Sequence, residues 1–84
     1  MSKFEEILLD YGGYIFSEIF LYALRNEKYQ DCAEMKDIAS RYDIPLDFSA
    51  QDWVESFWDF KLSGENAMLN KDYYLEEAMK IAGY

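Results

Sequence analysis

Residues 14 to 25 read Tyr-Ile-Phe-Ser-Glu-Ile-Phe-Leu-Tyr-Ala-Leu-Arg, and only Ser17, Glu18 and Arg25 among them are polar. A helix that is apolar nearly all round has no polar side to present to water, so it belongs in the middle of a bundle. The run is also about half the length needed to cross a bilayer. It therefore predicts a central core helix over about residues 14–26.

Helical spacing continues before this stretch. Residues 3 to 11 place four apolar side chains at i, i+3, i+4 and i+7, the spacing of one helix face. These are Phe4, Ile7, Leu8 and Tyr11. The pair Gly12-Gly13 then interrupts the pattern. Since each glycine costs about 1 kcal/mol relative to alanine inside a helix but does not forbid it, the sequence leaves open whether the pair breaks or bends the helix.

Helical spacing also continues after the core stretch. Apolar residues follow one stripe of residues 28–42, which must end before Pro45 because proline disfavours helical geometry in the preceding residue. Ser49 and Asp52 resemble a capping box, which predicts a helix over about 50–61. Gly64 is interpreted as a helix stop. A last helix begins at Asn70 as its N-cap and pairs Glu76 with Lys80 on its outer side.

The expected fold is all-α, because little glycine and only one proline punctuate the chain for strands and hairpins. With 84 residues, 19 % of them aromatic, the chain has enough bulk for one hydrophobic core and is too short for two. We expect residues 1–84 to form a single domain, a compact bundle of four to five short helices. Their expected ranges are about 3–11, 14–26, 28–42, 50–61 and 70–82.

The charge balance indicates the kind of partner. Seventeen carboxylates against eight basic side chains give a formal charge of −9, which repels nucleic acid and anionic membranes and attracts basic protein surfaces. The start of the chain carries Glu5, Glu6 and Asp10 where a signal peptide would be apolar. Cys32, as a lone cysteine, has no partner for an internal disulfide and is expected to be a small buried hydrophobe. These features predict a cytoplasmic protein.

Several groups that usually carry catalysis are missing from the sequence. There is no histidine, the single cysteine cannot build a structural zinc site, and no glycine-rich phosphate loop occurs. The stretches Asp43 to Asp47 and Asp31 to Asp37 lack the central glycine and terminal glutamate of a calcium loop. We therefore expect no enzyme activity, no cofactor and no metal, and keep a carboxylate-only enzyme or metal-dependent regulator as an open alternative.

The acidic residues are concentrated in one part of the chain. Residues 31 to 59 hold eight acids against Lys36 and Arg41, a balance of −6. On a helix, carboxylates three or four residues apart lie about 4.5 to 6 Å apart along the axis, close to the spacing of charges on a nucleic-acid strand. With Trp58 and Tyr73 as aromatic anchors, they form the predicted partner-binding set. Its acids are Asp31, Glu34, Asp37, Asp43, Asp47, Asp52, Glu55 and Asp59.

Two resemblances bear on this prediction. Residues 38 to 44, Ile-Ala-Ser-Arg-Tyr-Asp-Ile, resemble the first half of a helix-turn-helix, but Asp43 stands where glycine is usual and the following acids would repel DNA. In size, charge and chemistry the chain is similar to the acidic inhibitors that phages and mobile elements use against host nucleic-acid enzymes, including anti-CRISPR and anti-restriction proteins. That resemblance implies an inhibitor in the host cytoplasm that occupies a basic surface of a nucleic-acid-binding protein.

Other interpretations stay open at this point. The acids can form a face that serves only solubility. In that case the chain is a helical interaction or assembly module, with a homodimer as one form, and its apolar surface makes the contacts. Acidic immunity proteins of nuclease toxins fit the same description as the inhibitors.

Overall fold

The computed structural model describes residues 1–56 and 60–84, and these residues form helices without strands. This confirms the all-α bundle. The five helices are α1 (Lys3–Arg25), α2 (Tyr29–Arg41), α3 (Ala50–Val54), α4 (Gly64–Leu69) and α5 (Lys71–Ala82).

Gly12 breaks α1 into two halves, residues 3–11 and 13–25. Its backbone has φ 80° and ψ 177°, a conformation that is essentially restricted to glycine. A Cβ at this position would collide with the carbonyl oxygen of Leu62. The structure thus settles the question that the Gly12-Gly13 pair left open.

The two halves of α1 fold back on each other. The rings of Phe4 and Tyr22 both contact the ring of Tyr84, with centroid distances of 6.3 and 5.0 Å. In an unbroken helix the Cα atoms of residues 4 and 22 would be roughly 27 Å apart. The hairpin made by the two halves supplies most of the largest buried side chains. These include Phe4, Ile7, Leu8, Ile15, Phe16 and Ile19.

The other four helices pack around the α1 hairpin. Helices α2 and α5 make their main contacts with α1. Helix α5 contacts both halves, since Tyr74 packs on Tyr11 and Lys71 pairs with Glu18. At the kinked end, the ring of Trp53 from α3 lies where a Cβ of Gly13 would be. Gly64 of α4 in turn lies against the carbonyl group of Trp53. Glycine at positions 13 and 64 therefore allows the tight approach of three elements.

The expected range 50–61 is wrong in its length. The capping box is present: Ser49 Oγ accepts a hydrogen bond of 3.1 Å from the Asp52 amide, and the Asp52 carboxylate accepts one of 3.0 Å from the Ser49 amide. The helix nevertheless ends at Val54. The Ser56 hydroxyl donates to the Trp53 carbonyl at 2.9 Å, so it takes over an acceptor that a longer helix would use.

Helix α4 replaces the expected turn around Gly64. Gly64 is the first residue of this helix rather than a stop, and Ser63 is its N-cap, with its Oγ accepting a 3.2 Å hydrogen bond from the Asn66 amide. The expected pair of Glu76 and Lys80 is present in α5 at 3.8 Å.

Helices α2 and α3 do not form a helix-turn-helix. Asp43 does take the left-handed conformation of the usual glycine, with φ 55°. The Ile44 amide then donates to the Ala39 carbonyl at 2.9 Å, as in a Schellman C-cap. However, α3 starts only at Ala50, and the described residues of α2 and α3 do not pack against each other. No recognition helix follows the turn within these residues.

Helix α1 has the length and hydropathy of a membrane-spanning segment. Its most apolar 18-residue window is 61 % buried inside the protein, however, and the helix is broken at Gly12. Burial in the core therefore accounts for its apolar composition. Cys32 is buried as expected.

Candidate protein-binding surface

Asp31, the first acid of the predicted set, is half-buried and holds the end of the chain in place. The Tyr84 hydroxyl donates a 2.7 Å hydrogen bond to its Oδ2. Burial, the hydrogen bond and the negative charge of Asp31 raise the pKa of Tyr84. Asp31 therefore anchors Tyr84, which follows α5, to α2 rather than presenting a free carboxylate.

The next two acids of α2 are exposed and have partners on the protein itself. The Ser2 hydroxyl donates to Glu34. Arg41 pairs with Asp37 at 3.3 Å and with Glu5 at 3.4 Å, so one guanidinium bridges α2 and the N-terminal half of α1. The Arg41 guanidinium offsets the charge of Asp37 that another protein would otherwise meet. The Ser2 hydroxyl is a neutral donor, so Glu34 keeps its negative charge.

The acids after α2 are different. Residues 42 to 60 contain no lysine or arginine. The four acids of this stretch that the structure describes are all exposed, and none forms an ion pair within the described residues. We call these four residues the acidic segment. They are Asp43, Asp47, Asp52 and Glu55.

Local hydrogen bonds restrict three of the four residues of the acidic segment, Asp43 through its backbone and Asp52 and Glu55 through their carboxylates. Asp43 is the left-handed residue of the α2 C-cap, and Asp52 accepts the Ser49 amide in the capping box. Glu55 accepts a 2.9 Å hydrogen bond from the Gln51 side-chain amide. These are neutral donors, so the carboxylates keep their full negative charge while their positions are restricted.

The described members of the predicted binding set lie on several elements of the structure. Trp58 and Asp59 lie outside the described residues. Tyr73 is 63 % exposed but belongs to α5, away in the chain from both α2 and α3. Because α2 and α3 do not pack together, the acids of α2 and the acidic segment are carried by separate elements.

Other aromatic and apolar residues differ from the sequence interpretation. Tyr22 and Tyr84 are half-buried and stacked on each other, with ring centroids 5.0 Å apart. Sequence reasoning missed Leu69, which is 73 % exposed at the end of α4. The expected helix ranges 50–61 and 70–82 left residue 69 outside any helix, so no face was assigned to it.

Among residues 1–56 and 60–84, no three carboxylate or thiolate side chains converge into a group that could hold a metal ion. Comparison with protein-family models, with curated protein sequences and with solved structures gives no match for this chain.

Proposed function

We propose that this chain is an inhibitor that binds a basic, nucleic-acid-binding surface of a partner protein and blocks it by occupying it. The observation that carries the proposal is the acidic segment, four exposed carboxylates without an ion pair in the described structure. Anti-CRISPR and anti-restriction inhibitors are the protein classes that this chemistry fits. An immunity protein of a nuclease toxin would bind in the same way.

Charge and local order both support this mode of binding. Lysine and arginine side chains that normally hold phosphate can pair with carboxylates instead, and charge-assisted hydrogen bonds of this kind are stronger than neutral ones. No internal ion pair of Asp43, Asp47, Asp52 or Glu55 has to be broken first within the described residues. The local hydrogen bonds of the Asp52 and Glu55 carboxylates also lower the entropy lost on binding. The net charge of −9 accelerates encounter with a positive cleft.

A displacement experiment tests the proposal. Nucleic-acid-binding proteins of a bacterial lysate are retained on DNA-cellulose and then washed with the wild-type chain or a variant. The test variant combines Asp43→Asn, Asp47→Asn and Glu55→Gln. The control variant combines Glu65→Gln, Asp72→Asn and Glu76→Gln, which removes the same charge from exposed positions elsewhere.

We expect the wild type and the control variant to release the same DNA-binding protein and to form a complex with it that dissociates at high salt. The test variant should need about tenfold more protein, since three lost charge contacts of about 0.5 kcal/mol each amount to one decade in affinity. Equal potency of the test variant, or release of no protein by the wild type, would contradict the proposal.

A second function is favoured by the exposed apolar side chains near the junction of α4 and α5. Leu69 is 73 % exposed, Tyr73 63 % and Met68 39 %. This matches the assembly-module alternative, in which apolar contacts join two copies. Sedimentation over a range of concentrations tests it: a mass that rises with concentration and falls after Leu69→Asp supports a homodimer, and a constant monomer mass rejects it.

A further inference from the structure

Three tyrosine rings form a continuous row across α5 and the N-terminal half of α1. Tyr73 packs edge to face on Tyr74, with centroids 5.4 Å apart and planes at 73°. Tyr74 packs on Tyr11 at 6.1 Å and 59°. Tyr73 is 63 % exposed, and the other two are half-buried. We call these three residues the tyrosine row. The row ends in the exposed ring of Tyr73, which packs on Tyr74 and through it on Tyr11.

Carboxylates surround this row. Asp10 directly precedes Tyr11 in the chain. Burial, and then the negative charges of Glu77 and Asp10, raise the pKa of Tyr11. Glu77 also lies four residues after Tyr73 in α5, so it lies on the same side of the helix. The row therefore has an acidic border.

The cations already present at this border are weakly held. Lys80 pairs with Glu77 at 3.5 Å and Lys61 pairs with Asp10 at 3.6 Å. Both lysine side chains are largely exposed, and exposed pairs of this kind contribute about 0 to 1 kcal/mol. A partner's cation that binds Glu77 or Asp10 displaces a lysine from a pair of this strength.

We propose that the tyrosine row and its acidic border bind arginine side chains of a basic segment of a partner protein. A guanidinium can stack on the exposed face of Tyr73 while its planar N–H groups donate to the Glu77 carboxylate. Arginine fits this combination better than lysine, because a guanidinium stacks on rings and donates in a fixed fork. Charge complementarity selects this occupant, since a second copy of the chain or a nucleic acid would bring further negative charge.

The tyrosine row and the acidic segment have no residue in common. The tyrosine row is carried by α1 and α5, whereas the acidic segment lies between the end of α2 and the end of α3. The inference therefore stands whether or not the proposed inhibitor function is correct, and one variant on each surface tells the two apart.

A peptide titration followed by NMR tests the inference. The probes are two capped nonapeptides, one with four arginines alternating with glycines and one with four lysines in their place. We expect the arginine peptide to shift the ring signals of Tyr73 and Tyr11 and to bind about three- to tenfold tighter than the lysine peptide.

The variants sharpen the test. Tyr73→Leu should weaken arginine-peptide binding about three- to fivefold, whereas Tyr73→Phe, which keeps the ring, should bind like the wild type. Glu77→Gln should weaken binding by a similar factor. The Asp43→Asn, Asp47→Asn, Glu55→Gln variant should retain the shifts of Tyr73 and Tyr11.

Three results would overturn the inference. The first is an equal affinity for both peptides. The second is unchanged binding by Tyr73→Leu with shifts confined to the acidic segment. The third is a set of Tyr73 shifts that grows with protein concentration in the absence of peptide, since a second copy would then be the occupant.

Discussion

The Tyr84 hydroxyl donates a 2.7 Å hydrogen bond to the carboxylate of Asp31, 53 residues earlier in the chain. The same tyrosine ring stacks on Tyr22 and contacts Phe4, so one side chain joins both halves of α1 to α2. The Tyr84 amide is itself anchored by a 2.9 Å hydrogen bond to the Met79 carbonyl, through the left-handed Gly83. This contact closes the bundle at the end opposite the kink.

We predict that Tyr84→Phe lowers the free energy of unfolding by about 1 kcal/mol at pH 7. The ring contacts are kept and only the hydrogen bond to the carboxylate is lost, in a half-buried site. Urea denaturation measures the change. Tyr73→Phe is the matched control, since its hydroxyl forms no hydrogen bond within the described residues, and it should leave the midpoint unchanged. Equal midpoints for Tyr84→Phe and the wild type would argue against a stabilising bond.

The same tyrosine should make stability depend on alkaline pH. The pKa of Tyr84 is raised in the folded protein, first by burial and then by its hydrogen bond to Asp31 and the charge of Asp31. Below pH of about 10, both the folded and the unfolded states hold the proton, and the contribution is complete. Above it, the unfolded state loses the proton while the folded state keeps it, so stability falls as pH rises.

Thermal unfolding between pH 8 and 11 checks this prediction. The wild type should lose stability more steeply than Tyr84→Phe above pH 10. The variant should keep part of the slope, because the pKa values of Tyr11 and Tyr42 are also raised. Parallel curves for the two proteins would show that Tyr84 does not cause the loss.

Gly12→Ala should destabilise the protein by about 3 kcal/mol or more. The backbone conformation at Gly12 strains any other residue, and the new methyl group would meet the Leu62 carbonyl oxygen. Gly83→Ala is the control. It has a similar φ of 82°, but the nearest atom to a new Cβ is Lys3 Nζ at 3.9 Å. It should cost only about 1 kcal/mol. Chemical denaturation measures the loss of stability in both variants. Equal losses would contradict the strained break of α1 at Gly12.

Glu27→Gly should stabilise the protein by about 0.5 to 1 kcal/mol. Glu27 follows α1 in the left-handed conformation, with φ 58°. The next residue closes the helix C-cap, because the Lys28 amide donates a 2.8 Å hydrogen bond to the Ala23 carbonyl. Glycine adopts this conformation without the steric cost that other residues pay. A rise of a few degrees in melting temperature is expected. Ala33→Gly, in the exposed interior of α2, should lower it instead. Lower stability of Glu27→Gly would contradict the argument.

The sequence by itself determined the elements with strong local signals. The apolar run over residues 14–25 required a buried helix, and the periodic stretches around it predicted the first half of α1, α2 and α5. The Ser49 and Asp52 capping box was also predicted, because its chemistry depends on residues only three positions apart. The concentration of acidic residues in one part of the chain was also evident from the sequence, because it does not depend on contacts between helices.

Tertiary structure decided the features that depend on distant residues. The carbonyl oxygen of Leu62 lies where a Cβ of Gly12 would be, and Gly64 lies against the carbonyl group of Trp53. Neither neighbour can be inferred from local spacing. Contacts also distinguish the acids of the predicted set. Asp31 is a partner of Tyr84, while Asp43 and Asp47 are exposed and form no ion pair within the described part of the chain. Periodicity places side chains on one helix face, but only packing between helices determines which faces remain accessible to a partner.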